Sequence, residues 1–120
     1  TFLSNGFLSD GARVASELSH GERQVLELTM ALVTEPRLLL LDEPCAGLSA
    51  DETAHVMDVI RWARNALDIS IVIIEHDMAV VKQLADHVFV LHQGSLLAEG
   101  DVASIRADPR VHEVYVGATE

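Results

Sequence analysis

Residues 38–44 read Leu-Leu-Leu-Leu-Asp-Glu-Pro. Four consecutive apolar residues leave no polar side for water, so the run reads as a buried strand of the kind found in parallel sheets. It ends in two adjacent carboxylates, Asp42 and Glu43. A strand of this type delivers them to its C-terminal edge, where open α/β sheets gather ligands.

The flanking sequence supplies helices and a second strand. Ser19 and Glu22 form a Ser-x-x-Glu capping box, which predicts a helix starting near His20. Val25, Leu28 and Leu32 make one apolar stripe, and Leu26, Met30 and Val33 make another. A helix apolar on two sides is expected to be mostly buried. Pro36 ends it. Ser49 and Glu52 form a second capping box. The helix it opens lines one face with Val56, Val59, Ile60, Ala63 and Leu67, and the other with Asp58, Arg61 and Asn65. Ile71 to Ile74 reads as a second strand, again of the type buried on both faces. Asp77 caps a short helix through Leu84, and Val88–Leu91 and Ser95–Ala98 flank a Gln93-Gly94 turn as a hairpin. Asp101 and Asp108-Pro109 open two further short helices. Residues 1–17 are weakly patterned, with Asn5-Gly6 and Asp10-Gly11 as turns, and read as the end of something cut upstream. Strand alternating with helix is an α/β pattern.

Composition narrows the functions available. At 49% hydrophobic residues, 120 residues can bury a real core. The formal net charge of −11 disfavours nucleic acid and anionic lipid headgroups as partners of the bulk surface. The longest apolar run, Ile69–Ile74 interrupted by Ser70, is far too short to span a bilayer, and no signal peptide is visible. The single cysteine, Cys45, excludes an internal disulfide and reads as a small buried filler. No zinc-ligand spacing links it to the six histidines.

Three groups of residues carry candidate chemistry. An aspartate ending a buried strand calls for a metal, water or donor to answer its charge, and hydrated Mg²⁺ on phosphate oxygens is one such partner. The next carboxylate, Glu43, can polarise an attacking water. Ser19-His20-Gly21 sits at a helix N-terminus whose amides are expected to be free to hold an anion. His76 follows the second strand at the same sheet edge. The alternatives are a plain strand end, a plain helix cap and a structural histidine.

Four stretches in this order resemble the motifs of ATP-binding cassette (ABC) ATPases. Leu18-Ser19-His20-Gly21-Glu22 is similar to the signature motif Leu-Ser-Gly-Gly-Gln, with His20 and Glu22 as departures. Leu38–Glu43 resembles the Walker B strand, Ala46-Gly47-Leu48-Ser49 the D-loop with Ser49 for its usual Asp, and His76 the switch histidine. Ser19 to Asp42 spans 23 positions and Glu43 to His76 spans 33. The closing stretch, His76-Asp77-Met78, Ala98-Glu99-Gly100 and Asp108–Val111 through Tyr115-Val116-Gly117, is similar to importer ATPases for branched-chain amino acids and for urea or short amides. The resemblance implies a partial P-loop-NTPase-like parallel sheet with flanking helices and a C-terminal β-hairpin. Residues 1–35 would be the end of a helical subdomain carrying the signature helix, and residues 36–120 the C-terminal part of the catalytic core.

The resemblance also implies a mechanism. Two such domains sandwich two ATP molecules head to tail, so that Leu18–Glu22 and Gly47–Ser49 would face the ATP and the surface of the partner subunit. Asp42 would organise Mg²⁺ through water, Glu43 would be the general base, and His76 would sense the γ-phosphate. The domain would sit on the cytoplasmic face of a plasma-membrane permease and drive it. The Walker A loop, Gly-x-x-x-x-Gly-Lys-Ser/Thr, is not among these residues, and the one lysine, Lys82, has no glycine near it. The adenine-stacking aromatic and the Q-loop are missing as well. Two other readings stand beside the importer ATPase: a soluble ABC-type ATPase acting on nucleic acid, which the charge disfavours, and a non-catalytic module that dimerises through exposed apolar surface.

Overall fold

The computed structural model describes residues 11–115, so the Asn5-Gly6 turn and the Val116-Gly117 end of the closing stretch lie outside the described residues. The chain divides into two compact units, Thr1–His76 and Asp77–Glu120.

The first unit is built on a strand–helix–strand crossover. Helix α1 (His20–Val33) precedes strand β1 (Leu38–Asp42), and helix α2 (Ala50–Ala66) leads to strand β2 (Ser70–Ile74). Both helices start where the capping boxes place them. Ser19 accepts from the Glu22 amide and Ser49 from the Glu52 amide, while each glutamate accepts from its own cap residue's N–H. Helix α1 stops at Val33. Glu35 then takes a left-handed conformation (φ 52) and Pro36 prevents resumption. Strands β1 and β2 pair in parallel, Leu38 opposite Ser70 through Asp42 opposite Ile74. Val25, Leu28, Leu32, Leu39, Val56, Met57, Val59, Ile60 and Ala63 are the buried apolar residues of the two helices and β1, and α1 packs on α2. On the outer side of α2, Asp58 and Arg61 form an exposed ion pair at 2.7 Å.

Two expectations are corrected here. The strands are not buried on both faces: exposure alternates along each, so that Leu39 is 6% exposed and Leu40 68%. A single crossover lays its helix on one face of a strand pair. Leu38, Leu40, Val72 and Ile74 therefore form an uncovered apolar face. Helix α1 is likewise buried on one stripe only, with Met30 and Val33 of its second stripe exposed. Exposed apolar surface of this kind is what the dimerising-module reading anticipates.

The second unit holds helix α3 (Met78–Leu84), strands β3 (Val88–His92) and β4 (Ser95–Gly100), and helices α4 (Val102–Ala107) and α5 (Pro109–Tyr115). Strands β3 and β4 form the expected antiparallel hairpin. Gln93 and Gly94 both have positive φ (48 and 78), the two-residue turn that matches the twist of paired strands. Val90, Ala98, Ile105 and Val111 are its core. Asp77, Asp101 and Asp108 serve as helix-start acceptors, for the amides of Ala79, Ser104 and Arg110 respectively.

The alternation in β1 is open to measurement. Leu39→Ala is expected to cost about 2–5 kcal/mol in denaturant unfolding, and Leu40→Ala under about 0.5 kcal/mol. Equal losses would mean that both faces of the strand are covered.

Candidate functional site

The parallel register sets the first cluster. Because Asp42 lies opposite Ile74, the residues that follow each strand emerge side by side. The Glu43 amide donates to the Ile74 carbonyl at 2.9 Å, one step past the strand. Glu43 then turns the chain in a left-handed conformation (φ 46), which costs a residue with a Cβ on the order of 1 kcal/mol. That turn brings Glu43 Oε1 to 3.1 Å from His76 Nδ1, with both side chains open to solvent. A carboxylate oxygen accepts, so the bond there is the His76 Nδ1–H donating to Glu43. Asp42 is exposed at the same edge.

The N-terminus of α1 differs from expectation. Three of its amides already have acceptors within the chain. The Ser19 amide donates to Glu22 Oε2 at 2.8 Å, the Glu22 amide to Ser19 Oγ at 3.1 Å, and the Gly21 amide to Glu52 Oε1 at 3.1 Å. A chain rich in carboxylates has filled its own anion positions. Glu22 also pairs with Arg13 at 2.8 Å. Its carboxyl lies below the usual range, first through the Ser19 amide and then through Arg13. The negative charge at Glu22 is thus answered by the cap and by Arg13.

The 45–49 loop is held by two carboxylates. The Cys45 amide donates to Glu75 Oε1 at 3.3 Å, and the Ser49 amide to Glu52 Oε2 at 3.0 Å. Gly47 has φ 71, a conformation in which a side chain is strained. Pro44 is fully buried, and Cys45 is half-buried where the sequence reading put a buried filler. Hydrogen bonds first from the Ser49 amide and then from the Gly21 amide bring the Glu52 carboxyl down to about 2.

The structure therefore brings together Asp42, Glu43 and His76 at one strand edge. It separately joins Ser19, Gly21, Ser49 and Glu52 at two helix starts. Sequence reading missed Arg13 and Glu75, and gave Glu52 only its role as a cap. The capping pattern is local, whereas the bond from Gly21 spans 31 positions and needs the packing of α1 on α2. Among the described residues, no cluster of three or more His, Cys, Asp or Glu side chains is gathered to hold a metal. Mg²⁺ bound mainly by phosphate oxygens and water asks for only one or two protein carboxylates. Asp42, a single exposed carboxylate at the strand end, fits that mode and not an all-protein cage.

The profile of the ABC transporter family matches residues 4–46, and that of the branched-chain amino acid ATP-binding cassette transporters matches residues 95–120. The high-affinity branched-chain amino acid transport ATP-binding protein LivG of Escherichia coli is 40% identical over 112 residues, covering 93% of this chain and 44% of LivG. BraF of Pseudomonas aeruginosa, with the same description, is 39% identical, covering 88% of this chain and 41% of BraF. The chain belongs to the ABC ATPase family. Its fold agrees with the crystal structure of the ADP conformation of MJ1267, an ATP-binding cassette of an ABC transporter. The TM-score is 0.81 at 32% identity, over 97% of this chain and 46% of MJ1267. This ABC ATPase chain spans less than half the length of the curated relatives it matches.

Within this ABC ATPase chain, the lowered carboxyl of Glu52 gives a pH dependence of definite sign. A depressed carboxyl adds stability that is complete above its ordinary value of 4.5 and is lost as pH falls toward about 2. Glu52→Gln lacks that contribution at every pH. The thermal midpoints of wild type and Glu52→Gln are therefore expected to converge as pH falls from about 5 to about 3. A constant gap between the two would contradict this placement of Glu52.

Proposed function

We propose that this chain is part of the ATP-hydrolysing subunit of an ABC importer for branched-chain amino acids or for urea or short amides. The observation that carries the reading is the Glu43 carboxylate 3.1 Å from the His76 imidazole, with Asp42 beside them at the carboxyl edge of a parallel strand pair. The family membership and the branched-chain profile over residues 95–120 support the solute class.

In this reading Glu43 accepts a proton from water as its oxygen attacks the γ-phosphorus of ATP. The bond from that phosphorus to the bridging oxygen breaks, and ADP and phosphate leave. Glu43 would serve as base because its carboxylate is exposed and is bonded to His76. His76 would hold that carboxylate through Nδ1 and would turn its other ring nitrogen, as an N–H donor, toward the γ-phosphate. Asp42 would hold Mg²⁺ through water, and the ion when bound supplies charge neutralisation at the phosphate oxygens. Leu18–Glu22 and Gly47–Ser49 would face a second nucleotide-binding subunit. The assembled pair would work against a transmembrane permease at the inner face of the membrane. Among the described residues, no helix is long and apolar enough to cross a membrane.

Binding of the triphosphate would rest on a Walker A loop that these 120 residues do not contain. The purified 120-residue chain is therefore expected to show no Mg²⁺-dependent ATP turnover. Turnover that disappears in Glu43→Gln would contradict this. The positive test is a chimera in which the chain replaces the matching segment of BraF. It is expected to hydrolyse ATP and to lose about 10²–10⁴-fold of kcat on Glu43→Gln. A folded chimera whose turnover is indifferent to Glu43→Gln would overturn the reading.

A further inference from the structure

The start of α1 and the loop before α2 are joined by one side chain. Glu52 Oε1 accepts from the Gly21 amide at 3.1 Å, and Glu52 Oε2 accepts from the Ser49 amide at 3.0 Å. Each carboxylate oxygen thus serves a different helix start. The contact is close as well as polar. A Cβ built on Gly21 would lie 2.7 Å from both Cβ and Cγ of Glu52, and 2.9 Å from Cδ. Rotation of the side chain can move Cγ and Cδ, but Cβ is fixed to the α2 backbone, so no rotamer of Glu52 clears the clash. The His20 ring also lies near the loop: a Cβ built on Gly47 would stand 3.8 Å from His20 Nε2.

We propose that Glu52 is a positioning residue that locks the Ser19–Glu22 turn and the Gly47–Ser49 loop into one body, and that Gly21 is glycine because Glu52 lies against it. The requirement for glycine at this position then comes from inside the chain and not from approach of a nucleotide. If the function proposed above holds, the two segments reach the partner subunit's ATP as a unit, and movement of either is felt by the other. That consequence rests on the functional reading. The lock itself is measured without nucleotide, so either can fail alone.

The test is residue-resolved amide exchange on the 120-residue chain. In Glu52→Ala, exchange at both Gly21 and Ser49 is expected to rise about tenfold or more, with the amides of Val25 and Val59 changing less than about threefold. Glu52→Gln keeps one acceptor and the side-chain shape, and is expected to give a full rise at one of the two amides and a smaller rise at the other. Acceleration at Ser49 alone in Glu52→Ala would make Glu52 an ordinary helix cap and overturn the proposal. Unfolding equilibria supply the second arm. Gly21→Ala is expected to lower the folding constant at least about tenfold more in wild type than in a Glu52→Gly background, where the obstructing atoms are gone. Equal losses in the two backgrounds would refute the packing origin of Gly21.

Discussion

The pairing of β1 with β2 in parallel, Asp42 opposite Ile74, is the constraint on which the rest of the site depends. It makes neighbours of Glu43 and His76, 33 positions apart in the sequence. Once Glu43 has bonded its amide to Ile74, the left-handed turn at Glu43 follows, and that turn brings its carboxylate to the imidazole of His76. A register slip of one residue would invert the apolar alternation of β2. Ile71 and Ile73, now partly covered, would change places with Val72 and Ile74, and the residues beyond each strand would no longer emerge together.

The acidic composition shapes the second cluster. A helix N-terminus attracts negative charge, and this chain carries 19 acidic residues against 8 basic ones. At α1 the attraction is met internally, by Glu22 from within the helix and by Glu52 from the next one. The result is a start of α1 fixed by carboxylates and by Arg13.

Much of this was readable from local chemistry. Both capping boxes, the Gln93-Gly94 turn, and the helix starts after Asp77, Asp101 and Asp108 follow from side chains that bond within a few positions. The edge residues Asp42, Glu43 and His76 were readable because continuous apolar runs ending in polar groups mark where parallel strands stop. Coverage of the strands was not readable. Leu38–Leu41 and Ile71–Ile74 are apolar at every position, so periodicity says nothing about which face is covered, and the structure covers one. Nor was the use of the Gly21 amide readable, because its acceptor comes from another helix.

The hydrogen bond from the Glu43 amide to the Ile74 carbonyl tests the central claim most directly. In uniformly labelled chain, coupling across that bond between the Glu43 nitrogen and a carbonyl carbon identifies the acceptor. The register described here predicts coupling to the Ile74 carbonyl carbon. Coupling to the carbonyl of Ile73 or Glu75 would place the strands in a different register and separate Glu43 from His76.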